Sequence, residues 1–99
     1  MSKLYELFSN TAVESFGKAL RTALTKNEDY ASLIELDYAE KEEDFAIAIK
    51  KFLRRLGKEG YKPNERDLDE IMKLAQEYGV KLVCAAVISH ALAYPHKGE

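Results

Sequence analysis

Phe45, Ile49, Phe52 and Leu56 step along the chain by four, three and four residues. At about 100° per residue these positions share one narrow stripe, so residues 45–56 predict an amphipathic helix with Leu53 at the edge of its buried side. Lys50, Lys51, Arg54 and Lys58 fall on the opposite arc, Arg55 lies at its margin, and Ile47 interrupts it. This segment constrains the fold most, because a helix with one apolar face needs other helices or a sheet to cover it.

The rest of the chain supplies helices. Glycine and proline are sparse, and apart from Gly17 and Gly98 they fall at Gly57, Gly60, Pro63, Gly79 and Pro95, where helices are expected to end. Thr11 and Glu14 have the spacing of a capping box, and Val13, Phe16, Leu20, Ala23 and Leu24 then recur at helical spacing, which predicts a helix over 12–25. Leu4, Tyr5, Leu7 and Phe8 before it either extend that helix or form a short one of their own. Asn27 is the expected cap of a short helix carrying Tyr30, Leu33, Ile34 and Tyr38. Gly57 or Gly60 is expected to close the amphipathic helix in a left-handed cap. Asn64 is expected to cap a helix burying Leu68, Ile71, Met72 and Ala75, with Gly79 as its stop.

Residues 80–94 are apolar nearly all round. A strand fits Val80 to Ile88, but Ala85, Ala86, Ala91 and Ala93 favour a helix, and so does the length of the run. A helix apolar on every side belongs at the centre of a bundle. The expectation is an all-α bundle of four to five helices in a single domain spanning 1–99. A chain of 99 residues buries about 65% of its unfolded surface, enough for one core without disulfides or metal.

Charge is sharply segregated. Between residues 28 and 44, eight acids (Glu28, Asp29, Glu35, Asp37, Glu40, Glu42, Glu43 and Asp44) stand against Lys41 alone. Between 50 and 62, six bases (Lys50, Lys51, Arg54, Arg55, Lys58 and Lys62) stand against Glu59 alone. The overall charge of −2 conceals this. Cations on one helical face can track a phosphate backbone, and Tyr61 beside them can stack on an unpaired base. Lys18 and Arg21 extend that patch if their helix is a neighbour. The competing explanation is local: acids at a helix N-terminus and bases at its C-terminus complement the helix dipole. The acidic stretch lacks the spacing and glycine turn of a calcium loop and reads as solvated surface, or as a contact for the basic stripe of another copy in a head-to-tail filament.

Other signals are weaker. Ala75 to Val80 has the outline of a helix-turn-helix corner, but the second helix offers apolar rather than polar side chains to a groove. His90 and His96 have no Gly-x-Ser-x-Gly elbow or Cys/His partner, and there is no Cys-x-x-Cys pair or phosphate-cradling glycine loop. Nothing proposes catalysis, a metal or a cofactor, and the expectation is a non-enzyme. Cys84, the single cysteine, reads as a core thiol in a reducing compartment. The N-terminus lacks a signal peptide's long apolar stretch, and no run is long enough to span a bilayer, so a cytoplasmic protein is expected. Abundant Lys and Glu with a single glutamine favour a thermophilic source.

The C-terminal run Ser89-His90-Ala91-Leu92-Ala93-Tyr94-Pro95 resembles the ending of the small subunits of archaeal type I-A CRISPR interference (Cascade) complexes. Length and helical character extend the resemblance. It implies a non-catalytic subunit, present in several copies beside the large subunit of a crRNA-guided complex, that helps hold the R-loop or displaced strand while a separate nuclease–helicase cuts. Its implied partners are the other subunits and the crRNA/DNA R-loop or single-stranded DNA. R-loop formation is nearly balanced in energy, so backbone contacts can tip it. The residues assigned to that contact, Lys50, Lys51, Arg54, Arg55, Lys58 and Lys62, come from helical geometry and not from the resemblance. The alternative is a helical protein-interaction subunit with no nucleic-acid contact. An acidic chain, with pI near 5.7, fits weak patches that act together in an assembly.

Overall fold

The computed structural model describes residues 3–58 and 64–92, all of whose secondary structure is helical. Six helices follow one another: α1 (Lys3–Phe8), α2 (Thr11–Asn27), α3 (Tyr30–Tyr38), α4 (Glu42–Gly57), α5 (Glu65–Tyr78) and α6 (Val80–Leu92). The all-α expectation holds. The count exceeds four to five because residues 3–8 form a helix separate from α2. Asn10 divides them: its Oδ1 accepts from the backbone N–H of Ala12 at 2.9 Å and of Val13 at 3.2 Å. The cap of α2 is therefore Asn10 and not Thr11, because the longer amide side chain reaches two free donors at once.

Two other expected ends also move. Asn27 is the last residue of α2, Glu28 takes the left-handed conformation at φ 52°, and Asp29 caps α3 by accepting from the Ser32 N–H. Gly57 is not a left-handed cap. It is the last residue of α4, and the chain continues right-handed through Lys58, whose N–H reaches the Arg55 and Leu56 carbonyls. Gly60 lies outside the described residues. Gly79, at φ 97°, does stop α5, and Asn64 does cap it. No helix among the described residues is long and apolar enough to cross a membrane.

The core follows the predicted stripes. Val13, Phe16, Leu20, Ala23 and Leu24 of α2 meet Phe45, Ile49, Phe52, Leu53 and Leu56 of α4 in one buried cluster. The all-apolar α6 sits centrally, packed most extensively on α2 and also on α5, α1 and α3. It buries Val80, Val83, Cys84, Ala86, Val87, His90 and Ala91, so it presents no reading face and the helix-turn-helix outline is an ordinary corner. Gly17 permits the α2–α6 approach, since a Cβ at that position would collide with His90 Cβ. The short α3 differs from expectation. It buries Ser32 and Leu36 and turns Tyr30, Ile34 and Tyr38 to solvent.

Three helix C-termini are capped by side chains from distant helices. The Arg21 guanidinium donates to the Ala91 carbonyl of α6 at 3.1 Å. Lys81 Nζ donates to the Asp37 carbonyl of α3 at 2.7 Å. His90 Nε2 donates to the Phe8 carbonyl of α1 at 2.9 Å, with the Phe8 ring 4.4 Å from the imidazole. A carbonyl only accepts, so the imidazole proton on this bond belongs to Nε2. Each contact satisfies a carbonyl that a helix end leaves open.

Candidate nucleic-acid interface

The basic face is built by α4. Acids Glu42, Glu43 and Asp44 occupy its first turn and Arg54 and Arg55 its last, the arrangement that complements the helix dipole. Lys41 at the N-cap makes no side-chain capping bond, so the acids of the first turn favour this end by charge alone. Burial of Phe45, Ala48, Ile49, Phe52, Leu53 and Leu56 fixes the rotation of the helix. That rotation leaves Lys50, Lys51, Arg54 and Lys58 exposed. Among the described residues none of these four is held in an ion pair. Lys62, together with Tyr61, lies outside the described residues.

Arg55 is placed differently. Its Nη1 donates to Asp29 Oδ1 and to Ser32 Oγ, each at 3.0 Å, and its Nη2 lies 3.8 Å from Glu35 Oε1. Asp29 also accepts from the Ser32 hydroxyl at 2.6 Å while capping α3. Arg55 thus ties α4 to the start of α3, and its charge is committed within the chain although its side chain keeps 42% exposure. Asp29 and Glu35, counted on the acidic side of the sequence, are its partners.

Nor do the cations of α2 extend the patch. Arg21 is spent on the α6 carbonyl described above, and Lys18 faces Glu14 one turn away at 3.6 Å. The face consists of Lys50, Lys51, Arg54 and Lys58, with Ile47 among them at 54% exposure.

Beside it runs a groove of about 340 Å³ between α3 and α4. Ile34, Tyr38 and Ile47 supply apolar walls, Ala39 and Ala48 line it as small residues, Asp44 and Glu35 bring acid, and Lys51 brings the one base. No sequence signal marks this groove, since helical periodicity puts Tyr30, Ile34 and Tyr38 on α3 without saying which side is covered.

Cys84 is buried, and burial pushes its thiol up to about 12. A thiol held protonated this firmly is a packing group and not a nucleophile at neutral pH. Among the described residues no three His, Cys, Asp or Glu side chains come together as a metal-ligand set.

No protein-family model matches the chain, and no solved structure matches it. An uncharacterized protein of Archaeoglobus fulgidus is 48% identical over 99 aligned residues, covering 91% of this chain and 82% of that protein.

Proposed function

This chain belongs to the same family as that Archaeoglobus fulgidus protein, and for this family we propose a non-catalytic, nucleic-acid-contacting role carried by the outer face of α4. The supporting observation is the set Lys50, Lys51, Arg54 and Lys58, exposed together on one helix and left without internal ion pairs among the described residues. Ammonium and guanidinium groups spaced along a helix neutralise phosphates and release condensed counterions, whatever the base sequence. Together with the C-terminal resemblance, this favours a small subunit of a crRNA-guided interference complex that steadies the R-loop or displaced strand. Four weak contacts per copy gain strength when several copies line one strand.

The test has two arms. With four phosphates neutralised, the logarithm of single-strand affinity falls against log salt with a slope of about −3. Replacing Lys50, Lys51, Arg54 and Lys58 together by Glu removes that slope and lowers R-loop yield in the reconstituted interference complex. Unchanged affinity and unchanged R-loop yield in the folded variant rule the role out.

A further inference from the structure

The groove between α3 and α4 has no occupant among the described residues, although Ile34, Tyr38 and Ile47 stand 53%, 76% and 54% exposed along it. We propose that it takes a second copy of this chain, with the two α4 helices packed antiparallel about a two-fold axis.

Asp44, Ile47, Lys51, Arg54 and Lys58 step by three, four, three and four along α4, the interval that keeps a seam facing a partner helix. The seam carries acid at its N-terminal end, an isoleucine inside that end, and bases towards its C-terminus. Parallel packing sets base against base. Antiparallel packing sets Asp44 of each copy against the second copy's Arg54, and lays the aliphatic stem of each Lys51 across the second copy's Ile47. Every contact then occurs twice, as a two-fold interface requires. Glu35 contributes less because it already faces Arg55 at 3.8 Å, which leaves Asp44 as the acid at the groove open to an intermolecular partner. The pairing closes on itself at two copies, unlike the head-to-tail contact that a charge-segregated sequence also permits.

This goes beyond the strand-binding role and does not rest on it. Arg54 and Lys51 serve both surfaces, so strand and second copy compete for them, while Lys50 lies off the seam.

Sedimentation equilibrium on the purified chain, without nucleic acid, is the test. The wild type shows a reversible monomer–dimer equilibrium. Asp44→Arg and Arg54→Asp each weaken it about tenfold or more, because each change reverses two symmetric contacts. An equimolar mixture of the two variants recovers dimer, since opposite charges again meet at both contacts, and the Asp44→Arg/Arg54→Asp double variant recovers it alone. Ile47→Gln weakens it without altering any charge. A wild type that stays monomeric, single variants that pair like the wild type, a mixture no tighter than its components, or a mass that climbs past two copies overturns the proposal. These side chains are exposed, and circular dichroism of each variant verifies the fold.

Discussion

Gly17 of α2 lies against His90 of α6 so closely that a methyl group on Gly17 would overlap His90 Cβ, while the Val87 carbonyl oxygen stands 3.3 Å from the same point. The neighbouring atom is the first carbon of a buried side chain, not the end of a flexible one, so the helices themselves would have to part. Gly17→Ala gains up to about 1 kcal/mol of helix propensity. It loses about 1–3 kcal/mol to overpacking at the main interhelix contact of the fold. The expected net effect is a lower melting temperature, by about 4–8 °C for each kcal/mol lost. Thermal unfolding followed by circular dichroism measures it, and a variant as stable as the wild type would show that α2 and α6 stand further apart.

The same histidine holds α1. Its Nε2–H donates to the Phe8 carbonyl, at the last residue of that six-residue helix. His90→Phe keeps an aromatic ring of similar size but removes the donor, leaving a partly buried carbonyl unsatisfied. That omission costs about 1–3 kcal/mol. The loss falls on α1 first, since a helix this short has little cooperativity of its own. Hydrogen exchange is expected to rise across residues 3–10 before it rises in α4, and uniform exchange across the chain would contradict the capping role.

Residues that are neighbours on a helix were the legible part of this chain. The stripe Phe45, Ile49, Phe52 and Leu56 is fully buried as its spacing requires, and α6 is central because, Lys81 and Ser89 apart, its faces are almost wholly apolar. Ends proved harder to place, since Asn10 and Thr11, or Asn27 and Asp29, both have capping chemistry and only the path of the chain selects between them. Long-range partners were not legible at all. Arg21 meets Ala91, and His90 meets Phe8, across 70 and 82 residues, and periodicity carries no information about such pairs. Arg55 left one trace: it sits at the margin of the basic arc, beside the buried side, and that margin is where Asp29 and Ser32 receive it.

Cys84 makes stability sensitive to alkali. Burial is the main cause of its raised value, the charge of Asp37 adds to it, and Lys81 opposes it. An unfolded chain exposes a thiol that ionises near 9.0, whereas the folded thiol holds its proton up to about 12. Below pH 9 both states are protonated and the group has no effect. Between 9 and 12 only the unfolded state loses the proton, so stability falls as pH rises, by about 1.4 kcal/mol per pH unit at most. Urea unfolding across this range is expected to show a steeper decline for the wild type than for Cys84→Ala. The alanine variant starts from lower stability because of the cavity it leaves. Parallel declines would mean that the thiol is already accessible in the folded state.

Arg54 and Arg55 are adjacent, yet they separate stability from surface chemistry. Arg55 bonds to Asp29, whose side chain is only 9% exposed, and to Ser32. Arg55→Ala leaves that carboxylate with the Ser32 N–H and hydroxyl but without its cation. Because the Arg55 side chain is itself 42% exposed, solvent screens the pair, and the expected cost is about 1 kcal/mol rather than that of a fully buried ion pair. Ser32→Ala in the Arg55→Ala background is expected to cost less than Ser32→Ala alone, because the two residues share one network. Within the chain, among the described residues, Arg54 touches no such network, so at concentrations where the protein is monomeric Arg54→Ala is expected to stay within about 0.5 kcal/mol of the wild type. Single-strand affinity should respond in reverse: Arg54→Ala lowers it and reduces the salt slope by about 0.7, the share of one phosphate, whereas Arg55→Ala leaves the slope unchanged at temperatures where it remains folded. Urea unfolding and fluorescence anisotropy at several salt concentrations measure the two effects on the same samples. Equal loss of slope in both variants would place Arg55 on the strand and remove the distinction between them.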